Sequence, residues 1–134
     1  MGHPTIYPTG VTVYNPEKCW NGFTIFQALE VGAVLMNMNG RENKVWKGVH
    51  GFPNKLFPGG YLMTSRGSRD GRYGVQDGLD LVQIDWDGNV VWKFDRNEYI
   101  EDPGIPGRWM ARSHHDYQRE GSTTGYYAPG MEPK

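Results

Sequence analysis

The densest group of residues able to do chemistry is the run Arg112–Asp116, which contains two adjacent histidines. An imidazole can act as an acid, a base, a nucleophile or a metal ligand near neutral pH. Alternate side chains of a strand point the same way, so we expect His114 and Asp116 on one side and His115 on the other. We take His114 and His115 as candidate catalytic residues. Arg112, which can donate hydrogen bonds to an anion, and Asp116 are candidates for substrate binding.

A third histidine, His50, stands at a comparable place earlier in the chain. Gly60-Tyr61 follows it at ten and eleven residues, and Gly125-Tyr126 follows His115 at the same two steps. The equal spacing indicates that the two histidines are equivalent positions of a repeat. His50 is therefore a further candidate for substrate binding, although a lone histidine near a strand end is more often a hydrogen-bonding residue of the structure.

A metal site is another interpretation of these histidines. It needs three or four ligands in the correct geometry, and His50, His114, His115 and Asp116 are the residues on offer. Their spacing does not decide the question, so we predict no metal and no other cofactor. Cys19 is the only cysteine, which excludes an internal disulfide and a cysteine-rich zinc site.

Two hairpins are the elements that must position these residues. Apolar residues alternate and flank a turn in residues 33–47 and again in residues 79–94. An offset of 46 (92 − 46) lays Trp46 on Trp92 without a gap. Short strands that repeat every 40–50 residues are typical of propeller blades. The sequence thus predicts an all-β fold that is part of a β-propeller.

The domain organisation follows from this repeat. We expect residues 1–22 to form an irregular arm and residues 23–134 to form incomplete blades. The second copy carries about 19 extra residues, which we interpret as an inserted loop at 95–113. Propellers close with about four to eight blades, and 134 residues supply two to three. We therefore expect the ring to be completed either by further sequence of a longer protein or by other propeller chains, in a hetero- or homo-oligomer.

The composition excludes several classes of protein. Gly and Pro number 19 and 9, too many for a helical bundle, while 18 aromatic residues (5 Trp, 8 Tyr, 5 Phe) argue against disorder. The net charge of −1, without a basic block, gives no support to nucleic-acid binding. No apolar run reaches the roughly 18 residues of a membrane span, and the N-terminus does not have the pattern of a signal peptide. Localisation is left open.

The chain resembles the arylsulfotransferase-like propeller family from about Pro8 to Pro129. The segments that carry the resemblance are YNPEKCWNGFTIF, HGFPNKLFPGGYLM, IDWDGNVVWKF and SHHDYQREG. The resemblance implies a six-bladed propeller with an axial site, and a periplasmic or secreted location. It also implies transfer of a sulfuryl group from an aryl sulfate to a phenol through a transiently sulfurylated histidine.

That resemblance assigns roles within this chain. His115, or its neighbour His114, matches an early axial histidine that binds sulfate or transfers a proton. The covalent histidine belongs to a later blade, since the chain matches roughly the first third of a family member. A fold does not fix a reaction, so two alternatives stay open: a metal-assisted hydrolase or lyase on the same propeller, and a non-catalytic binding module.

Overall fold

The computed structural model describes residues 13–74 and 77–118, and the prediction of an all-β fold is confirmed. The strands form three antiparallel sheets, ordered β1-β2-β3, β4-β5-β6-β7 and β8-β9. Their bounds are β1 Phe23–Ala28, β2 Gly32–Asn37, β3 Glu42–Lys47, β4 Lys55–Phe57, β5 Tyr61–Thr64, β6 Val82–Ile84, β7 Val90–Lys93, β8 Glu98–Asp102 and β9 Ile105–Met110. The single helical turn, α1, spans Gly71–Gly74, and no helix in the described ranges is long and apolar enough to cross a membrane. Most of the arm at 1–22, and Gly125-Tyr126, lie outside these ranges.

The turns of the two expected hairpins, β2-β3 and β6-β7, have the same construction. The side-chain oxygen of Asn37 accepts hydrogen bonds from the backbone N–H groups two and four positions on, of Asn39 and Arg41, each at 3.0 Å. Asp85 does the same at 2.9 and 2.8 Å. Gly40 and Gly88 occupy matching places with φ of 75° and 92°, where glycine avoids a Cβ clash. Matching turns therefore lie 48 residues apart (85 − 37).

This geometry corrects the repeat register of 46. The register shifts of the two hairpins, at Leu35/Met36 and Gln83/Ile84, are also 48 apart (83 − 35). Trp46 is consequently equivalent to Phe94, and Trp92 to Lys44. The offset of 46 matched residues of one type, whereas turn chemistry sets the pairing of the strands. Because the error is two residues, each side chain keeps its face of the sheet.

The first and second sheets, β1–β3 and β4–β7, share one hydrophobic core. The buried members of this core are Ala33, Leu35, Trp46, Val49, Leu62, Val82 and Ile84. Trp46 spans the two sheets, since its Nε1–H donates to the carbonyl oxygen of Asp85 at 3.3 Å. Its ring also meets Trp86 edge to face, with centroids 5.3 Å apart.

The segment 95–113 contains a β-hairpin, β8-β9, where we expected an inserted loop. Tyr99 pairs directly with Trp109, and Met110 is buried. The Pro103-Gly104 step forms the turn of this hairpin, with Gly104 at φ 77°. The β-prone residues on either side of that turn explain the strands.

The polar segment between β5 and β6 holds this hairpin through Arg69. The Arg69 Nε–H donates to Asp102 Oδ2 at 2.9 Å, and a second contact joins its Nη2 to the other oxygen of that carboxylate. The Nη1–H donates to Asp77 Oδ2 at 3.1 Å. The hydrogen bonds from Arg69 lower the pKa of Asp102, which stays ionised in this largely buried network. A bidentate pair of this kind fixes both distance and orientation.

Candidate functional site

The segment that carries the candidate residues, 111–118, lies along the second sheet. The backbone N–H groups of Ala111 and Arg112 donate to the carbonyl oxygens of Leu79 and Gly78, at 3.0 and 3.1 Å. Gly78 returns a hydrogen bond to the Ser113 carbonyl oxygen at 2.9 Å. The backbone of the connection just before β6 therefore fixes the start of the segment.

His115 occupies the centre of a γ-turn. The N–H of Asp116 donates to the carbonyl oxygen of His114 at 2.8 Å, and His115 has a φ of 63°. Arg112 also has a positive φ, 52°. A residue with a Cβ in this region costs about 1–3 kcal/mol, and such residues cluster at functional sites. Two of the candidate residues are thus held in strained conformations.

Lys55 of β4 holds the far side of this turn. Its Nζ lies 2.5 Å from Asp116 Oδ1 and donates to the Tyr117 carbonyl oxygen at 2.6 Å. The Tyr117 hydroxyl donates to the Met63 carbonyl oxygen at 2.9 Å and also contacts that of Pro53. Burial raises the pKa of Tyr117 above its usual value, so its hydroxyl stays a donor. Asp116, predicted to bind substrate, has an ion-pair partner in this structure.

A pocket of about 810 Å³ opens beside the segment. Its polar rim consists of charged and amide side chains, Arg96, Arg112, His114, Asp116 and Gln118. Its apolar floor is one face of the second sheet, with Met63, Leu81, Trp92 and Phe94. The structure thus brings together three candidates from the sequence. Arg96 was missed, although its position two residues after Phe94 places it at the exit of β7.

The other two histidine candidates lie apart from the pocket lining. The His115 ring meets Phe52 edge to face at 5.4 Å and the His114 ring at 4.1 Å. The pocket lining includes His114 and Asp116 but not His115. The expected alternation of a strand is not what separates them, because His115 lies in a γ-turn and its ring contacts that of His114. His50 is exposed in the connection between β3 and β4, where its backbone N–H donates to the Ser65 carbonyl oxygen at 2.7 Å.

The described residues contain no group of three His, Cys, Asp or Glu side chains placed to hold a metal ion. His50, His114, His115 and Asp116 are therefore not a common ligand set in this structure. The chemistry that their arrangement supports is that of hydrogen-bond donors and proton carriers.

The Lys55–Asp116 pair predicts a dependence of stability on pH. The hydrogen bond from Lys55 lowers the pKa of Asp116 below 3.8. A lowered carboxyl pKa stabilises the folded state above about pH 4, and this contribution is lost as the pH falls through the lowered value. Asp116→Asn should therefore lower the thermal midpoint at pH 6, and the difference from wild type should shrink as the pH falls below about 4.

A double-mutant cycle checks the cause of this dependence. In a Lys55→Met background, the effect of Asp116→Asn should be smaller and lose most of its dependence on pH. An equal effect of Asp116→Asn with and without Lys55 would contradict the assignment of the pair.

Arg112 and His114 give the pocket its chemical character. A guanidinium and an imidazole that line one pocket can each donate hydrogen bonds to an anion, and those from the charged guanidinium are of the stronger kind in proteins. Comparisons with protein-family models, curated proteins and solved structures find no match to this chain.

Proposed function

We propose that the chain forms two to three blades of a six-bladed β-propeller, completed by other propeller sequence. The repeat supports this architecture, because two antiparallel sheets with the same turn and the same register shift follow each other at 48 residues. They pack through one shared core. The segment 111–118 then begins against the Phe57, Met63 and Leu81 cluster of the second sheet, where the next blade would start.

We propose that the assembled protein transfers a sulfuryl group between phenolic compounds, as an arylsulfotransferase-like enzyme. The observation that carries this proposal is the placement of Arg112 and His114 on one pocket rim. Both can donate to the oxygens of a sulfate, whose charge they stabilise in the transition state. Phe52, nearly half exposed beside His115, offers an aromatic surface for a phenol ring.

The proposed reaction has two balanced steps. In the first, the S–O bond of the aryl sulfate breaks and the sulfuryl group joins an imidazole nitrogen of a histidine in a later blade. His114 gives a proton to the departing phenolate oxygen. In the second, an acceptor phenol returns a proton to His114 while its oxygen takes the sulfuryl group from the covalent histidine.

The direct test is incubation of the assembled protein with 4-nitrophenyl sulfate and a second phenol. The proposal expects release of nitrophenol that depends on the acceptor, together with the sulfated acceptor as a product. Release without a sulfated acceptor, with bound metal found by elemental analysis, would instead indicate the metal-assisted hydrolase. Release of no nitrophenol would refute the sulfuryl transfer.

Replacing Arg112 is expected to weaken binding of the sulfuryl donor. Arg112→Gly removes the guanidinium while allowing the positive φ, so it separates charge from backbone strain. We expect the Kd for 4-nitrophenyl sulfate to rise about 10–100-fold, since a hydrogen bond to a charged group contributes about 1.5–3 kcal/mol. The measurement is calorimetric titration. The matched variant Arg72→Gly, in α1 outside the pocket lining, should bind as wild type does.

A non-catalytic binding module is the second candidate. The ion pair between Lys55 and Asp116 favours it, because this carboxylate already has a structural partner. Such a module would bind 4-nitrophenyl sulfate with the same dependence on Arg112 and would never release nitrophenol.

A further inference from the structure

A second cavity, of about 350 Å³, lies between the edge of the first sheet and the second sheet. Four consecutive residues of β3 line it, from Lys44 to Lys47, and Gly48 and Val49 continue the same side. Neighbouring side chains of a strand point to opposite faces, so an unbroken run of lining residues indicates that the cavity follows the edge of β3. Its lining shares no residue with that of the pocket beside His114.

β3 is an edge strand in the part of the chain that the structure describes, where its strand neighbour is β2. In an antiparallel pair, every second residue turns both its N–H and its C=O towards the neighbour, and the residues between turn theirs away. An edge strand therefore presents a row of backbone donors and acceptors that can pair with a further strand. The open space of the cavity leaves room for such a strand along β3.

The charges of the lining are mainly positive. Lys44, Lys47 and Arg66 oppose the carboxylate of Asp87. Arg66 is partly compensated, because its Nε–H donates to Asp80 Oδ2 at 2.8 Å, and this bond holds the guanidinium at the cavity. None of the ion pairs among the described residues includes Lys44 or Lys47. The lining therefore favours an anionic occupant.

Lys44 is positioned by aromatic rings. Its Nζ lies 5.3 Å from the centroid of the Trp86 ring and 5.9 Å from that of the Trp46 ring. Trp86 in turn lies over Gly60, where a Cβ would come within 2.8 Å of the indole. A cation–π contact orients an ammonium without neutralising it. Lys44 thus keeps its charge and its N–H donors for an anionic group.

We propose that an extended acidic peptide of a partner protein binds along β3 as a fourth strand of the first sheet. The peptide backbone pairs with the edge of β3, and its carboxylates lie beside Lys44 and Lys47. In strand addition, main-chain hydrogen bonds give the affinity and the alternate side chains give the specificity. This site goes beyond the proposed sulfuryl transfer and does not depend on it.

Fluorescence anisotropy of labelled peptides, titrated with the full chain, tests the proposal. The probe is fluorescein-labelled Val-Glu-Val-Glu-Val, and the matched control is Val-Lys-Val-Lys-Val. The glutamate peptide is expected to bind, more weakly at high ionic strength, and the lysine peptide is not. Displacement of the probe by an equal concentration of free glutamate or inorganic phosphate would reveal a site for small anions and overturn the proposal.

N-methylated peptides test the pairing of the backbone. One glutamate peptide carries N-methyl groups on its Glu residues and a second carries them on its Val residues. Only alternate N–H groups of an added strand face its neighbour, so one of the two peptides should lose binding and the other should keep it. Equal binding of both would mean that no strand is added to β3.

Charge variants of the lining locate the bound peptide. Lys44→Met and Lys47→Met should each raise the Kd of the glutamate peptide about two- to fivefold, the effect usual for an exposed ion pair. Asp87→Asn removes an acidic side chain from the lining and should lower the Kd by a similar factor. Lys93→Met changes an exposed lysine of β7 outside both cavity linings, so it should bind the peptide as wild type does.

Reversal of the charges gives the largest expected change. The double variant Lys44→Glu/Lys47→Glu should bind the lysine peptide more tightly than the glutamate peptide, and circular dichroism checks that it is folded. A wild type that does not bind the glutamate peptide, or a folded double variant with unchanged preference, would overturn the proposal. The peptides are measured without an aryl sulfate, so the release of nitrophenol stays a separate result.

Discussion

Replacing His114 with alanine is expected to lower the rate of sulfuryl transfer by about 10²–10⁴-fold, the loss usual for an acid/base group. His114 is the imidazole that lines the pocket beside Arg112. A proton donor to the departing phenolate matters most when that phenolate is strongly basic. The loss in kcat should therefore be larger for phenyl sulfate than for 4-nitrophenyl sulfate.

This dependence on the leaving group separates chemistry from structure. A His114 that merely supports the fold would, when replaced, lower the rates of both donors by the same factor and would also lower the thermal midpoint. A KM that rises while kcat stays unchanged would place His114 in sulfate binding alone. Either pattern of results would contradict a role of His114 in proton transfer.

Two variants are needed at His115, because its positive φ strains the backbone and must be separated from the loss of the imidazole. His115→Gly and His115→Ala both remove the imidazole, but glycine accepts the φ of 63° at lower cost than alanine. We expect both to lower transfer less than His114→Ala does, since the pocket lining includes His114 and not His115. If the glycine variant keeps full activity while the alanine variant loses it, the residue serves the γ-turn and not the reaction.

The hairpins could be predicted from sequence because their signals are local. Asn37 to Gly40 and Asp85 to Gly88 are turn residues that act on their own backbone. The offset of 46 between the two copies was nevertheless wrong, although each hairpin was predicted correctly. A match of Trp46 to Trp92 compares residue types over distance, whereas the turns fix which residues pair. The β8-β9 hairpin escaped detection because Pro-Gly steps mark loops and turns alike.

The site could be predicted less completely, since its supports come from distant parts of the chain. The cluster around His114 and His115 is contiguous and visible in the sequence. Lys55, which pairs with Asp116, is 61 positions away (116 − 55), and nothing in its own surroundings signals that contact. The apolar floor is likewise created by sheet packing, and in the sequence Trp92 stands out only as a marker of the repeat.

The Trp46 side chain is expected to contribute most to the stability of the described fold. It is 3% exposed between the two sheets, donates its Nε1–H to the Asp85 carbonyl oxygen, and packs on Trp86. Trp46→Ala should lower the free energy of unfolding by about 3–5 kcal/mol, from lost burial and the cavity left behind. Folded domains are stable by about 5–15 kcal/mol, so this loss is a large fraction of the total.

Trp20 provides the matched control, because the same substitution there removes a side chain that is 95% exposed. Trp20→Ala should change the free energy of unfolding by no more than about 0.5 kcal/mol. Trp46→Phe keeps an aromatic ring but loses the hydrogen bond to Asp85, so it should fall between wild type and the alanine variant. Urea denaturation followed by circular dichroism measures all three. Equal effects at positions 46 and 20 would mean that the two sheets do not share a core through Trp46.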